Sequence, residues 1–138
     1  LKLKEGKKSV LEGVPRSLPA LVKATRIQDK ARGAGFDWEE TAQVWDKLRE
    51  EIKELEVEVE ANDQEKVEAE FGDVLFSLIN ISRFIKVDPE SALERTNKKF
   101  INRFQYLEEA TKAAGLKLED MSLVEMDQFW EEAKAKGL

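Results

Sequence analysis

Residues 74–85 read VLFSLINISRFI, and on a helix those apolar side chains face nearly every direction. A helix without a polar side must be covered all round, so it sits at the centre of a bundle or in a seam between subunits. That requirement confines the chain to architectures in which helices surround helices. The rest of the sequence agrees: no stretch alternates as a strand does, and no internal repeat is present. Hydrophobic residues make up 41% and charged residues 38%, with three prolines and seven glycines, the balance of a helical globular domain. At 138 residues the chain is long enough to bury a core as one domain. The expectation is an all-α protein, an antiparallel helical bundle of about five helices, dimeric with a core shared through the third helix.

Punctuation residues place the helices. Residues 1–16, LKLKEGKKSVLEGVPR, are basic and broken by Gly6, Gly13 and Pro15, so they read as a linker or N-terminal arm ahead of a domain over 17–138. Ser17 is a candidate N-cap with Pro19 in the first turn. Asp37, with Glu40 three residues on, predicts the start of a second helix. That helix carries Trp45, Leu48, Ile52, Leu55 and Val59 as its apolar stripe, and Trp38 and Trp45 are expected in the core. A third helix is predicted from about Asp63 to Ile85. A fourth begins after Asp88–Pro89, carries Leu93, Phe100, Phe104 and Leu107, and ends at Gly115. Ser122 and Glu125 form a capping box for a last helix that closes before Gly137.

Charge and missing residue types narrow the function. The net charge of −6 argues against a general affinity for nucleic acid or an anionic membrane surface. No apolar run is long enough to span a bilayer, and no signal peptide is present. The chain has no cysteine, which fits a cytoplasmic location. With neither histidine nor cysteine, imidazole catalysis, thiolate nucleophiles and the usual zinc ligands are excluded. A metal held here would be a hard cation bound through oxygen: Mg²⁺, Mn²⁺ or Ca²⁺.

Against that background the acids of LREEIKEL, residues 48–55, need explaining. Glu51 and Glu54 are three apart and share a helical surface, although like charges at that spacing repel. On the next helix Glu70 and Asp73 repeat the spacing beside the most apolar segment of the chain. A tight turn at residues 62–64 makes the two helices antiparallel, so the four carboxylates can face one another across a groove. One pair alone is what a solvated acidic face looks like. Two pairs at the edge of a buried region favour a shared cation, because buried acids are costly unless paired or coordinated. Gly72, between Glu70 and Asp73, costs about 1 kcal/mol in a helix relative to alanine. It is expected to admit a ligand or a neighbouring helix close to the backbone.

The segments KLREEIKEL, EAEFGDVLFSLINISR and DPESALERTNKKFINRF resemble the MazG family of nucleoside triphosphate pyrophosphohydrolases. The likeness runs from GVPRSLPALVKATRIQDKARGAGFDW through DQFWEEAKAKG. The acidic double motif is shared by a wider all-α group, and the GFDW, NKKFINRF and terminal Trp–Lys segments narrow it to MazG. The resemblance implies Mg²⁺-dependent hydrolysis of a nucleoside triphosphate to the monophosphate and pyrophosphate, as in nucleotide-pool house-cleaning, with Mn²⁺ a possible substitute. It implies Glu51, Glu54, Glu70 and Asp73 as metal ligands and catalytic residues. Lys99 and Arg103 would hold the triphosphate, Trp130 and Lys134 would join the nucleotide site, and Lys47 and Lys66 are further candidates for the same pocket. Proteins of this kind often carry two copies of the domain, so the resemblance implies the C-terminal one of a longer chain. The competing reading is a non-catalytic helical module for dimerisation or partner binding. In it the acids are solvated, Lys99 and Arg103 belong to an ordinary polar face, and Trp130 is core. Base preference stays open.

Overall fold

The computed structural model describes residues 9–38 and 40–138. They form five helices, α1 Ala20–Gly33, α2 Thr41–Ala61, α3 Gln64–Phe84, α4 Pro89–Ala113 and α5 Leu123–Ala135, with one 3-10 turn at Leu118–Asp120. The described residues contain no strand, so the all-α class holds. None of their helices is long and apolar enough to cross a membrane. Residues 1–8 of the expected arm lie outside the described residues, and residues 9–18 run through turns, with Val14 N donating to Leu11 O at 3.1 Å.

The chain divides into two compact units, one ending at Glu90 and one spanning Ser91–Leu138. In the first, α2 and α3 form an antiparallel hairpin joined by two residues. Asn62 takes the left-handed conformation (φ 58°) that ends α2, and the Asp63 side chain accepts from Lys66 N to start α3. Asparagine tolerates that conformation where most residues are strained. Val44, Leu48 and Ile81 make the core of the hairpin, with Val74 and Phe84 packed against it. Burying a side chain of this size contributes about 1.5–3 kcal/mol. α1 is tied to α3 by Gln28, a buried residue whose Nε2 donates to Phe76 O at 3.0 Å.

In the second unit α4 and α5 meet along an aromatic seam. The Phe100 and Trp130 rings lie 5.1 Å apart, tilted, and the Tyr106 hydroxyl donates to Glu132 at 3.4 Å. α4 stops where Gly115 (φ 74°) lets Leu116 N return to Thr111 O at 2.9 Å. Ser122 and Glu125 exchange the reciprocal capping bonds expected of them.

Three expectations are corrected. α1 begins at Ala20, with Pro19 and not Ser17 in the cap position. α2 is capped by Glu40, whose side chain pairs reciprocally with Gln43. Asp37 cannot serve there because it is engaged elsewhere, accepting from Trp38 N at 2.8 Å and from Arg83 Nη2 of α3 at 3.1 Å. The apolar stripe of α2 is as expected only in part: Leu48 is buried and Leu55 half-buried, but the buried ridge turns toward Val44 and Glu51, while Trp45, Ile52 and Val59 are exposed. Trp38 and Trp45, at 42% and 37% exposure, are therefore not core residues. Both faces have helical spacing, and the packing against α3 buries the Val44 side.

Candidate functional site

The rotation of α2 puts Glu51 in line with Val44 and Leu48, and it is the buried acid of the hairpin, 5% exposed. One carboxylate oxygen from each of Glu51, Glu70 and Asp73 lies within 4.8 Å of the others. Glu50, Glu51 and Glu54 make a second triad within the same limit, so Glu51 belongs to both. The four expected ligands thus gather on one hairpin, with Glu50 added. Glu54 and Asp73 are exposed and Glu70 is half-buried, so the cluster runs from a dry end at Glu51 to a wet one.

The cluster is under-satisfied. Glu51 Oε1 accepts from Lys47 Nζ at 2.8 Å, one turn earlier, and Lys47 also approaches Glu50 at 3.6 Å. Glu51 Oε2 and Glu70 Oε2 are buried without a hydrogen-bond partner. For Glu51 a dry, unpaired oxygen costs about 1–3 kcal/mol, which native structures rarely leave uncompensated. Burial raises the Glu70 pKa above the usual glutamate value, and the negative charges of Glu54, Asp73 and Glu51 raise it further. The Lys47 pKa is raised as well, chiefly by its hydrogen bond to Glu51. A hard divalent ion would quench both orphaned oxygens and the mutual repulsion together. Carboxylate oxygens within 4.8 Å of one another could hold such an ion jointly. The donor set, all oxygen, fits such an ion.

A Cβ built at Gly72 meets nothing within 4 Å, so no described helix of its own unit packs on that point. Lys66, in the first turn of α3, pairs loosely with Asp63 at 4.0 Å.

The remaining expected residues lie in the second unit. Lys99 and Arg103 are one turn apart on α4, Lys99 exposed and Arg103 half-buried. The Arg103 guanidinium carbon stands 5.8 Å from the centre of the Trp130 ring, and its Nε donates to the main-chain oxygen of Leu138 at 2.7 Å. Lys134 pairs with Glu131 at 3.7 Å. Sequence reasoning missed the partnership of Phe100 with Trp130 and that of Arg103 with Leu138. The latter joins positions 35 apart and leaves no local signal. A recess of about 450 Å³ lined by Thr111, Lys112, Leu116 and Lys117, among others, contains none of the expected residues.

Comparison with known proteins identifies the family. The chain is 48% identical over 117 residues to the nucleoside triphosphate pyrophosphohydrolase/pyrophosphatase MazG of Thermotoga maritima, covering 85% of this chain and 45% of that protein. It is 39% identical over 132 residues to the nucleoside triphosphate pyrophosphohydrolase of Escherichia coli K12, covering 94% and 50%. It is 51% identical over 127 residues to the uncharacterized protein YabN of Bacillus subtilis, covering 91% and 26%. The chain therefore spans half or less of the length of these relatives. The sequence profile of the MazG nucleotide pyrophosphohydrolase domain matches residues 39–107, half of the chain, a range that takes in the acidic hairpin together with Lys99 and Arg103. On that match the chain belongs to the MazG nucleotide pyrophosphohydrolase domain family.

Proposed function

We propose that this chain hydrolyses nucleoside triphosphates to the monophosphate and pyrophosphate with Mg²⁺ as cofactor, Mn²⁺ being able to replace it. The observation that carries the reading is the Glu51–Glu70–Asp73 cluster, whose two orphaned buried oxygens call for a cation. Glu51, Glu54, Glu70 and Asp73 hold the ion. When bound, it supplies Lewis acidity at phosphate and makes a water acidic near neutral pH. Glu50, exposed beside Glu51 and Glu54, orients the attacking water and takes its proton, the role a histidine would fill in other hydrolases. Water attacks the α-phosphorus and pyrophosphate leaves.

Lys99 and Arg103 bind the triphosphate, arginine through a two-pronged grip and lysine as a point charge. Trp130 and Lys134 line the nucleotide site from α5. Lys47 and Lys66 balance the charge of the phosphates over an otherwise acidic hairpin. The functional domain is 17–138, with 1–16 as an arm.

The functional unit is a homodimer or an assembly of dimers. Phe71, Leu75 and Leu78 of α3 are 54%, 45% and 45% exposed in the single chain, and an apolar stripe of this kind suits a protein–protein contact. The open side of Gly72 lies on the same helix. A pyrophosphate-release assay across a panel of nucleoside triphosphates, with Mg²⁺ and with chelator, tests the function. Release that needs Mg²⁺ supports it; no release with any nucleotide leaves the non-catalytic helical module.

A further inference from the structure

α5 ends in a left-handed turn. Gly137 has a φ of 82°, its N–H reaches Lys134 O at 3.0 Å, and the Leu138 N–H reaches Ala133 O at 3.1 Å. These are the two bonds by which a glycine closes a helix. The turn carries the Leu138 main-chain oxygen to α4, where it accepts from Arg103 Nε at 2.7 Å. A guanidinium has five N–H donors in a rigid plane. Nε is occupied here, the Trp130 ring stands 5.8 Å from the guanidinium carbon, and among the described residues nothing accepts from Nη1 or Nη2.

We infer that the Leu138 main-chain oxygen is a positioning group for substrate: it holds the Arg103 guanidinium against Trp130 and so presents the Nη1/Nη2 edge, ready-made, to two oxygens of the triphosphate. The inference rests on reading Arg103 as a phosphate-binding residue. A free arginine must surrender its rotamer freedom on meeting the anion, whereas one already held by a main-chain oxygen and a ring surrendered it on folding. The device depends on Gly137, because a residue with a Cβ is strained at that φ and a β-branched one most of all. A Cβ at Gly137 meets nothing within 4 Å, so a substitution there acts through backbone conformation rather than by collision.

The test compares Gly137→Val with Gly137→Asn, since asparagine accepts the left-handed region, and combines Gly137→Val with Arg103→Lys. KM and kcat for Mg²⁺-dependent release of pyrophosphate are measured on the full chain. Gly137→Val is expected to raise KM on the order of five-fold with a smaller change in kcat, and Gly137→Asn to stay close to the parent. In the Arg103→Lys background the valine change should add little, because lysine has no planar fork to orient. Gly137→Ala, less strained, should move KM the same way by a smaller factor and decides the matter if the valine variant does not fold. Parental KM in both Gly137→Val and Gly137→Ala overturns the inference, as does an equal effect of valine with or without Arg103. A parent chain that releases no pyrophosphate from any nucleotide fails at the earlier step, the assignment of the activity.

Discussion

Lys47 Nζ lies 2.8 Å from Glu51 Oε1, and it is the one cation bonded to the most buried carboxylate of the α2–α3 hairpin among the described residues. The lysine precedes the glutamate by one turn, the weaker order for a helical pair. Its side chain is 39% exposed, so solvent screens the attraction. Replacing it with methionine should lower metal-free stability by about 1 kcal/mol. Mg²⁺ should recover that loss, because the ion takes over the charge on Glu51. Urea melts with chelator and with Mg²⁺ give the two differences; equal destabilisation in both conditions would place Lys47 outside the metal centre.

The acids should trade stability for function. Glu54→Gln and Asp73→Asn should abolish hydrolysis while the helical circular dichroism stays as in the parent. Glu51→Gln should do the same and also stabilise the metal-free protein, since it neutralises a charge buried among like charges. Full activity in any one of these variants removes that residue from the ligand set.

Glu70 supplies a pH signature. Its pKa in the folded chain is raised above the usual 4.5, so the folded state holds a proton that the unfolded state releases sooner. Below the unfolded value both states are protonated and stability is highest with respect to this group. As pH rises through the folded value that contribution is lost, and it does not return at higher pH. Metal-free melts should therefore weaken from pH 4.5 upward, and saturating Mg²⁺ should flatten the trend. Glu70→Gln should flatten it without the metal.

Arg103→Lys keeps the charge and loses the fork, so turnover should fall by about 1–3 kcal/mol in transition-state free energy. Arg103→Ala should fall further, because the contacts with Trp130 and Leu138 go as well. Mg²⁺ binding without nucleotide, followed by calorimetry, should survive both changes. Hydrolysis at the parental rate in Arg103→Ala would return α4 to the status of a plain polar face.

The exposed stripe of α3 predicts assembly. Sedimentation of the parent should give more than the 15.8 kDa of one chain at micromolar concentration, and Leu78→Glu should shift it toward that mass. Gly72→Ala separates the two states further. In an isolated chain it should stabilise α3 by about 1 kcal/mol through helix propensity, whereas a subunit packed over the open side would turn the gain into a loss.

Helix ends were legible wherever one residue settled the matter locally. Asp63, Asp88–Pro89, Gly115, Ser122 with Glu125, and Gly137 each punctuate where the sequence places them. The start of α2 was not: Asp37 is the residue type that caps helices, yet its carboxylate is taken by Trp38 N and the distant Arg83, and Glu40, which local preference does not favour, stands in the cap position. The face of α2 was hidden for a similar reason: Trp45, Ile52 and Val59 keep the same period as Val44, Leu48 and Glu51. Period shows that a stripe exists, and the partner helix chooses between stripes. The pairing of Glu51–Glu54 with Glu70–Asp73 could be read from spacing and a short turn. The burial of Glu51, which makes it the dry end of the cluster, could not.

The two-residue connection at Asn62–Asp63 has a further consequence, for the order of events in folding. Every proposed ligand of the ion falls between positions 51 and 73, on helices that meet as soon as that turn closes. Contacts so near in sequence form early and quickly, with little chain to gather in. The carboxylates are therefore brought together while the rest of the polypeptide is still searching, and their repulsion taxes the nascent hairpin before the mature molecule exists. A divalent ion present during refolding should then accelerate folding itself, as well as slow the reverse.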